Sequence, residues 1–391
     1  MRYLLVVPPL VGHVNPLVGV AAELARRGHD VAWAGHPELV HRLAGADQRV
    51  HDCAVPGQGL ARTPGLTGPA AFRFLWEEFL LPLATAMAPG VAAAIEEFAP
   101  DVVLCDQHAV AGALVAERFG IPYVTSSSTS AELVDPLAGL PKVGRWLTDR
   151  LAALRADLGG DGTADPRFSP YGVLAFTARE LVGETGPGIR VLGPAIAPRR
   201  AEPDFPWEEL NLGRVVVLVS LGTANTDAGT RFLIEAAEAL ALLADRVQGV
   251  VADPGQVLAG VSLPERTIVR EYLPQLSLLP YVDAVVSHGG HNTVCESLWH
   301  GVPLVLAPIR DDQPIVAGQV VDAGAGVRVR FGRVDAAGLA AAVDTVLDPS
   351  TGHPAAAEVI GRRLRAGDAV RAAADFLTTT VFSDVGVRTP R

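Results

Sequence analysis

The chain of 391 residues is longer than one hydrophobic core usually serves, so two domains of about 150 to 200 residues each are expected. Its composition, 49% hydrophobic and 19% charged, is that of an ordinary globular protein and argues against long disordered regions. A formal net charge of −11 and the lack of any Lys/Arg block in the sequence argue against nucleic acid as a partner.

The N-terminal sequence and the cysteine content indicate the cellular compartment in which the protein is expected. Pro8, Pro9 and Pro16 interrupt the apolar start well short of a membrane span, so we expect no signal peptide and no stable membrane insertion. The three cysteines are an odd number without metal-ligand spacing, which gives little support to a disulfide framework or a zinc site. A cytoplasmic protein is predicted.

Strand-like apolar runs alternate with alanine-rich helical stretches through the first half. A helix with a stop at Gly28 follows the first run. The runs are YLLVVPP (3–9), DVAWAGH (30–36), DVVLCD (101–106), IPYVTSS (121–127) and VLAFTA (173–178). This alternation predicts an α/β domain with a parallel sheet covered by helices on both faces, assigned to residues 1–200.

A proline-rich segment separates this half from a second one of the same kind. Residues 201–213 form the predicted linker, residues 214–375 a second doubly wound domain, and residues 376–391 a polar tail. The strand-like runs of the second half are VVVLVSLGT (215–223), VQGVVA (247–252), TIVREYL (267–273), DAVVSHGG (283–290), PLVLAP (303–308) and GVRVRF (326–331). The last helical run is predicted over 355–377.

In open parallel sheets, ligands bind beyond the carboxyl ends of the strands. Polar groups follow four predicted strands at that position: His13, Asp106, the segment 220–223 and His288. These four places are the candidate sites.

The segment 285–308, VVSHGGHNTVCESLWHGVPLVLAP, carries the densest cluster. Asn292 and Thr293 can cap a helix that begins near Val294, and the N-terminus of that helix suits a phosphate or diphosphate. His288 would add a donor, and Glu296 could accept hydrogen bonds from a ribose hydroxyl pair. The alternative is a tight strand-to-helix turn with a solvated histidine.

A second polar group strengthens the anion-site interpretation. Ser220, Gly222 and Thr223 follow a buried strand and could meet the same anion from the other side.

The run SHGGHNTVCES (287–297) followed by PIRDDQ (308–313) resembles the donor-binding signature of the UDP-glycosyltransferase superfamily. These are inverting enzymes with two facing Rossmann-like domains and an interdomain cleft, the GT-B arrangement. The resemblance implies that the donor contacts are His288 for the diphosphate, Gly290, Asn292 and Thr293 in the signature, Glu296 for the ribose, and Asp312 and Gln313 for the sugar hydroxyls.

Two further stretches resemble the same superfamily. EYLPQLSLLPYVDAVVSHGG (271–290) is similar to the stretch that packs the nucleobase, which implies donor contacts from Tyr272, Leu273 and Gln275. VGHVNPLVGVAAELARRGHDV (11–31) resembles the opening loop whose histidine is a general base, which makes His13 the base and Asp106 its orienting carboxylate. The alternatives are a surface histidine and a helix-capping aspartate.

The implied reaction is a single in-line displacement with inversion at the anomeric carbon. It needs no protein nucleophile, no cofactor beyond the nucleotide sugar as co-substrate, and no metal. Glu296 modestly favours a UDP-sugar, because the deoxyribose of a TDP-sugar would leave one partner of the carboxylate missing. His291 departs from the tryptophan of plant members and leaves the sugar-side contact open.

The acceptor side of the resemblance is thinner. Phe72, Trp76 and Phe79 could line an apolar acceptor pocket, or they could be ordinary core at helical spacing. By family analogy the acceptor is a hydrophobic small molecule with a hydroxyl, such as a polyketide, macrolide or phenolic natural product, bound by a monomer or homodimer.

Two other functions stay open. One is a nucleotide-sugar epimerase or hydrolase on the same scaffold, and the other is a non-catalytic auxiliary or ligand-binding protein. A binding module has no use for both His13 and Asp106. A dehydrogenase is disfavoured because PPLVGHVNP, and not the G-x-G-x-x-G fingerprint, follows the first strand.

Overall fold

The computed structural model describes residues 1–53, 66, 68–134, 137–199, 202–222 and 229–385, with backbone only for 380–385. The chain divides into two compact units. Unit 1 comprises Met1–Arg179, Glu184–Ala201 and Asp368–Arg391, and unit 2 comprises Glu180–Gly183 and Glu202–Gly367.

Unit 1 is built on a seven-stranded parallel sheet with the order β3-β2-β1-β4-β5-β6-β7. Its strands are β1 (Arg2–Val6), β2 (Asp30–Gly35), β3 (Val50–Asp52), β4 (Val102–Asp106), β5 (Tyr123–Ser127), β6 (Val173–Ala175) and β7 (Ile189–Val191). In the central strands β1 and β4 every residue except Arg2 is buried, because helices cover both faces of the sheet and side chains on either face lie in the core.

The helices of the first half are α1 (Val11–Arg26), α2 (Pro37–Ala44), α3 (Gly68–Phe74), α4 (Leu81–Phe98), α5 (Val110–Arg118), α6 (Pro141–Asp157) and α7 (Arg179–Val182). A π-helical segment, Leu75–Leu80, joins α3 to α4, and a 3₁₀ turn spans Ala131–Val134. The continuous helix Gly68–Phe98 is long and apolar enough to cross a membrane, but its residues Trp76, Leu83 and Met87 are fully buried in the core of unit 1. It has the character of a core helix.

Unit 2 is built on a six-stranded parallel sheet with the order β10-β9-β8-β11-β12-β13. Its strands are β8 (Val215–Ser220), β9 (Val247–Ala252), β10 (Ile268–Arg270), β11 (Ala284–Ser287), β12 (Leu304–Leu306) and β13 (Gly326–Arg328). Its helices are α8 (Thr230–Leu242), α9 (Gln275–Leu278), α10 (His291–Trp299), α11 (Gln313–Asp322), α12 (Ala336–Leu347) and α13 (His353–Arg365). Three 3₁₀ turns lie at Trp207–Glu209, Leu279–Tyr281 and Pro349–Thr351.

The predicted fold class is confirmed, and each of the eleven apolar runs contains a strand. The sequence analysis missed β3 and β7. Both are three-residue strands at the two edges of the first sheet, where one side of the strand has no neighbour. Neither is fully buried and each contains polar residues, so neither forms an apolar run.

The C-terminal helical run differs from the prediction. A break at 366–368 divides it into α13 and a longer helix, α14 (Ala369–Val385), which belongs to unit 1 although its first residues were assigned to the second domain. Phe376 and Leu377, at the start of the predicted polar tail, are buried in the core that α1 covers. The Tyr3 hydroxyl donates to the Leu377 carbonyl over 3.2 Å.

The packing of α14 against the rest of unit 1 can be tested at Phe376. The ring of Phe376 lies against Gly172 and beneath the guanidinium of Arg190. Phe376→Ala should lower the free energy of unfolding by about 3 kcal/mol, because it removes a buried ring and leaves a cavity. Urea unfolding followed by fluorescence measures this. Arg371→Ala, on the exposed side of the same helix, should change stability by less than about 0.5 kcal/mol. Equal stability of Phe376→Ala and the wild type would contradict the docking of α14.

Candidate active site

The first polar site lies where the strand order of unit 1 reverses. The chain leaves β1 through α1 toward β2, and it leaves β4 through α5 toward β5, so a crevice opens between β1 and β4 at their carboxyl ends. His13 is in the first turn of α1, and Asp106 is the last residue of β4. The paired strands therefore bring together two residues that are 93 positions apart.

His13 and Asp106 are hydrogen bonded. The His13 Nδ1 lies 2.9 Å from Asp106 Oδ1, with the carboxylate side chain fully buried and the imidazole 16% exposed. The Ser128 hydroxyl lies 2.7 Å from the same ring nitrogen, and the backbone N–H of His108 donates to Asp106 Oδ1 over 2.9 Å. Because Nδ1 is engaged, Nε2 is the nitrogen at which the ring can take a proton, and the carboxylate is placed to stabilise the resulting imidazolium.

A second histidine–carboxylate pair lies beside the first and was not predicted. The ring of His108 lies 4.9 Å from that of His13, centroid to centroid. His108 Nε2 is 3.0 Å from Glu132 Oε1, and Arg167 donates to the other oxygen of Glu132 over 3.0 Å. Burial alone would raise the pKa of Glu132, but the Arg167 charge and the His108 hydrogen bond outweigh it and lower that pKa to about 2.

Several polar atoms near this crevice are buried without a hydrogen-bond partner among the described residues. They are Asp106 Oδ2, both amide atoms of Gln107, Ser126 Oγ and Trp76 Nε1. A buried polar group that stays unpaired costs about 1–3 kcal/mol. Such a concentration at one edge of a sheet is typical of a site whose ligand or water completes the hydrogen bonding.

The three predicted acceptor aromatics lie together in unit 1. Trp76 is fully buried in the core, while Phe72 and Phe79 are half-buried and pack against the same cluster. Trp76 also lies edge-on to His108, with ring centroids 6.4 Å apart, and the Arg167 guanidinium lies 5.7 Å from the Trp76 ring centre. Trp76 thus has a structural role in the core and also borders the histidine crevice.

The second site lies at the corresponding point of unit 2, where the strand order reverses between β8 and β11. Ser287 of β11 is in register with Ser220 of β8, and His288 follows directly. An added Cβ at Gly222 or at Gly290 would come within 2.8 and 2.5 Å of the His288 ring, so the two glycines allow the backbone to enclose it. Burial lowers the pKa of His288 to about 4, and the nearby Arg310 charge acts in the same direction.

The helix after His288 begins earlier than predicted. It starts at His291, with Gly290 in extended conformation at the N-cap and no side-chain cap. The expectation that Asn292 and Thr293 cap a helix beginning near Val294 was wrong, and both residues lie in the first turn. The close contact between Gly290 and the His288 ring explains this, because a capping side chain at position 290 would collide with the imidazole.

Predicted donor residues of two motifs are connected within unit 2. Gln275, the first residue of α9, donates from Nε2 to Glu296 Oε2 over 2.7 Å and accepts from the Thr293 hydroxyl over 3.3 Å. Glu296 and Thr293 are buried. The amide therefore links the nucleobase stretch to α10. Of the other two residues in that stretch, Tyr272 is 53% exposed and Leu273 is half-buried.

Asp312 and Gln313, the predicted donor residues at the start of α11, are also held in place by local hydrogen bonds. Gln313 is buried, and its Oε1 accepts from the backbone N–H of Ile309 and of Arg310 over 2.9 and 3.1 Å. Asp312 occupies the N-cap position, and its carbonyl accepts from Val316. The orientation of Gln313 is therefore fixed by the loop. The predicted donor residue Thr223 lies outside the described residues.

Comparison with known proteins agrees with this architecture. The family model "UDP-glucoronosyl and UDP-glucosyl transferase" matches residues 203–353, and the model "Glycosyl transferase 4-like domain" matches residues 12–158. The 4'-demethylrebeccamycin synthase of Lentzea aerocolonigenes is 33% identical over 89% of this chain and 92% of its own length. Demethyllactenocin mycarosyltransferase of Streptomyces fradiae is 30% identical over 87% of this chain and 78% of its own.

Among solved structures, the glycotransferase of kitacinnamycin matches with a TM-score of 0.77 and 28% identity, over 96% of this chain and 97% of that one. Together with the two parallel sheets, these matches define a glycosyltransferase of the GT-B fold. The chain belongs to the UDP-glycosyltransferase superfamily and is a nucleotide-sugar glycosyltransferase. The predicted family and enzyme class are confirmed.

The low pKa of His288 makes stability depend on pH. In the unfolded chain this histidine binds a proton below about pH 6.5, whereas the folded protein does not bind it until about pH 4. The free energy of unfolding should therefore fall by up to about 3 kcal/mol as the pH falls through this window. His288→Gln should lose less stability between pH 6.5 and 4 than the wild type in urea titrations. Parallel pH curves for the two proteins would contradict the buried neutral imidazole.

Proposed function

We propose that the enzyme transfers a sugar from a nucleotide-diphosphate sugar to a hydroxyl of a hydrophobic natural-product aglycone, with inversion and with His13 as general base. The observation that carries this proposal is the 2.9 Å hydrogen bond between His13 and the fully buried Asp106. The names of the two relatives, a rebeccamycin-type synthase and a mycarosyltransferase, support the acceptor and donor classes.

The base acts on the acceptor. The acceptor hydroxyl gives its proton to His13 Nε2 as its oxygen forms a bond to the anomeric carbon. The bond from that carbon to the diphosphate oxygen breaks, and its electron pair leaves with the nucleotide diphosphate. Asp106 holds the ring through Nδ1 and stabilises the imidazolium, with Ser128 as a further contact.

We assign the donor to unit 2. The diphosphate would bind at the N-terminus of α10, where the helix dipole favours an anion. His288 and Ser220 flank this point, with Thr223 as the further predicted contact. Burial lowers the pKa of His288 to about 4, against the hydrogen bond of its ring to the Ser220 backbone, so the ring is neutral before the donor binds and carries a single N–H. Such donors stabilise the departing diphosphate without a metal.

The rest of the donor has proposed partners in the same unit. Glu296, oriented by Gln275, would accept from the ribose hydroxyls, which favours a UDP-sugar over a TDP-sugar. Tyr272 is exposed and available to stack on the base, with Leu273 beside it. Gly290, Asn292 and Thr293 complete the signature, and Asp312 and Gln313 would hold the sugar hydroxyls.

We assign the acceptor to unit 1, where the half-buried Phe72 and Phe79 would supply apolar contacts and the fully buried Trp76 would pack behind them. An aromatic or polyketide skeleton fits such surroundings because few polar atoms need to be matched. The cytoplasm is the proposed compartment, and the free thiols of Cys53, Cys105 and Cys295 are consistent with reducing conditions.

A transfer assay tests the proposed reaction. The protein is incubated with UDP-glucose, with a panel of TDP-sugars and with hydroxylated aglycones, and products are identified by mass spectrometry. NMR should show an anomeric configuration opposite to that of the donor, and EDTA should leave the rate unchanged. Donor binding without transfer would favour an auxiliary protein, and conversion of the donor without any acceptor would favour an epimerase or hydrolase.

The base is tested by His13→Ala, which should lower kcat by about 10² to 10⁴ while leaving nucleotide affinity unchanged, measured by calorimetry. Asp106→Asn should also lower kcat, because an amide can neither stabilise the imidazolium nor select the same tautomer. His41→Gln is the control in the same unit, since the one side-chain hydrogen bond of that ring among the described residues is with the Gln48 carbonyl. Wild-type turnover in His13→Ala would refute its role.

A further inference from the structure

Three metal-ligating side chains converge at the crevice of unit 1. One ring nitrogen of His13, one ring nitrogen of His108 and one carboxylate oxygen of Asp106 all lie within 4.8 Å of one another. Tetrahedral bonds of about 2.0–2.2 Å to a zinc ion would place such atoms roughly 3.4 Å apart. Small side-chain rotations would therefore close this set around one ion.

The chemistry of the set selects the cation. Two imidazoles and one carboxylate, with a fourth position left open, are the ligands that Zn²⁺ takes in many proteins. Mg²⁺ and Ca²⁺ prefer oxygen ligands in larger number and are disfavoured by the two nitrogens. Zn²⁺, or Co²⁺ as its spectroscopic substitute, is therefore the ion that fits His13, His108 and Asp106.

The residues around His13, His108 and Asp106 are arranged like those around a metal site. Ligand histidines commonly donate their other ring N–H to a carboxylate, which fixes the ring and raises its basicity. Glu132 lies 3.0 Å from His108 Nε2 in this way, and Arg167 holds Glu132 in turn. Asp106 Oδ2 is buried and has no hydrogen-bond partner among the described residues, so one oxygen of the central carboxylate lacks a ligand.

Local charge also favours a dication. Asp106, Glu132 and Asp165 supply three carboxylates, and Arg167 bonds two of them, Glu132 and Asp165. Three negative charges and one positive charge give these four side chains a net charge of −2 beside the two histidines. A divalent ion among them would neutralise this excess.

We propose that His13, Asp106 and His108 form a Zn²⁺ site, and that zinc bound there inhibits sugar transfer reversibly. An ion held by Asp106 and His13 Nδ1 would leave the single proton of the neutral ring on Nε2 and would replace the contact between the ring and Asp106, so metal binding and proton abstraction exclude each other. The inhibition rests on the proposed function, whereas the binding site does not.

Metal binding is measured on the full chain without a histidine tag, in metal-free buffer. Calorimetry with ZnCl₂ should give one equivalent bound, and CoCl₂ should give visible d–d absorption. His108→Gln should bind at least tenfold more weakly, and Glu132→Gln about 10- to 100-fold more weakly. His41→Gln and Cys295→Ala are the controls and should bind like the wild type. The second control tests the buried Cys295–His291 pair, whose Sγ and Nε2 lie 3.4 Å apart.

Loss of binding in His108→Gln and Glu132→Gln, with both controls unaffected, would support the site. No saturable binding by the wild type, or equal affinity in the wild type and His108→Gln, would overturn it. If His108→Gln does not fold, Glu132→Gln decides by the same criterion.

In the transfer assay, zinc should inhibit the wild type and EDTA should restore the rate. The inhibitory zinc concentration should rise in Glu132→Gln in step with the dissociation constant. If the inhibitory zinc concentration does not change with the dissociation constant for zinc, the proposed link between zinc binding at this site and loss of activity would be overturned. Zinc binding with no transfer under any condition would instead count against the proposed function.

Discussion

The parallel pairing of β1 with β4 is the constraint on which the rest of unit 1 depends. Val6 is in register with Cys105, so the next residues of the two strands leave the sheet side by side. One strand continues into α1 and the other ends in Asp106, and the two connections run to opposite edges of the sheet. A buried carboxylate is costly unless it is hydrogen bonded, and His13, in the first turn of α1, supplies that bond. The fold thereby orients the imidazole.

In unit 2 the pairing of two parallel strands likewise positions a histidine, but the surroundings of that histidine differ. The register of Ser287 with Ser220 brings His288 to the reversal of strand order, but no carboxylate among the described residues is hydrogen bonded to its ring. Glycines enclose the ring, and the amide network of Gln275 orders the adjoining helix. The result is an enclosed neutral donor beside a helix N-terminus, where the first site has a histidine paired with an acid.

The sequence revealed the parts of this structure that depend on long apolar runs and on motifs at strand ends. Central strands are buried on both faces and stand out as such, whereas β3 and β7 are short edge strands with little pattern. The packing of α14 against unit 1 could not be predicted from the sequence, because its apolar residues are equally consistent with packing against either unit. The Glu132–His108 pair was also hidden, since it depends on the path of a 3₁₀ turn after β5 and joins residues 24 positions apart.

The two sites show that a histidine side chain can have different chemical roles in different surroundings. A histidine that must accept a proton needs a neighbouring anion to stabilise the cation it becomes, and Asp106 provides one at 2.9 Å. A histidine that donates a hydrogen bond to a diphosphate needs no such anion, and burial keeps its ring neutral because it disfavours the charged form. His288, buried and near Arg310 with its pKa lowered to about 4, is suited to the second task. The placement of a single carboxylate therefore separates the two roles in the proposed reaction.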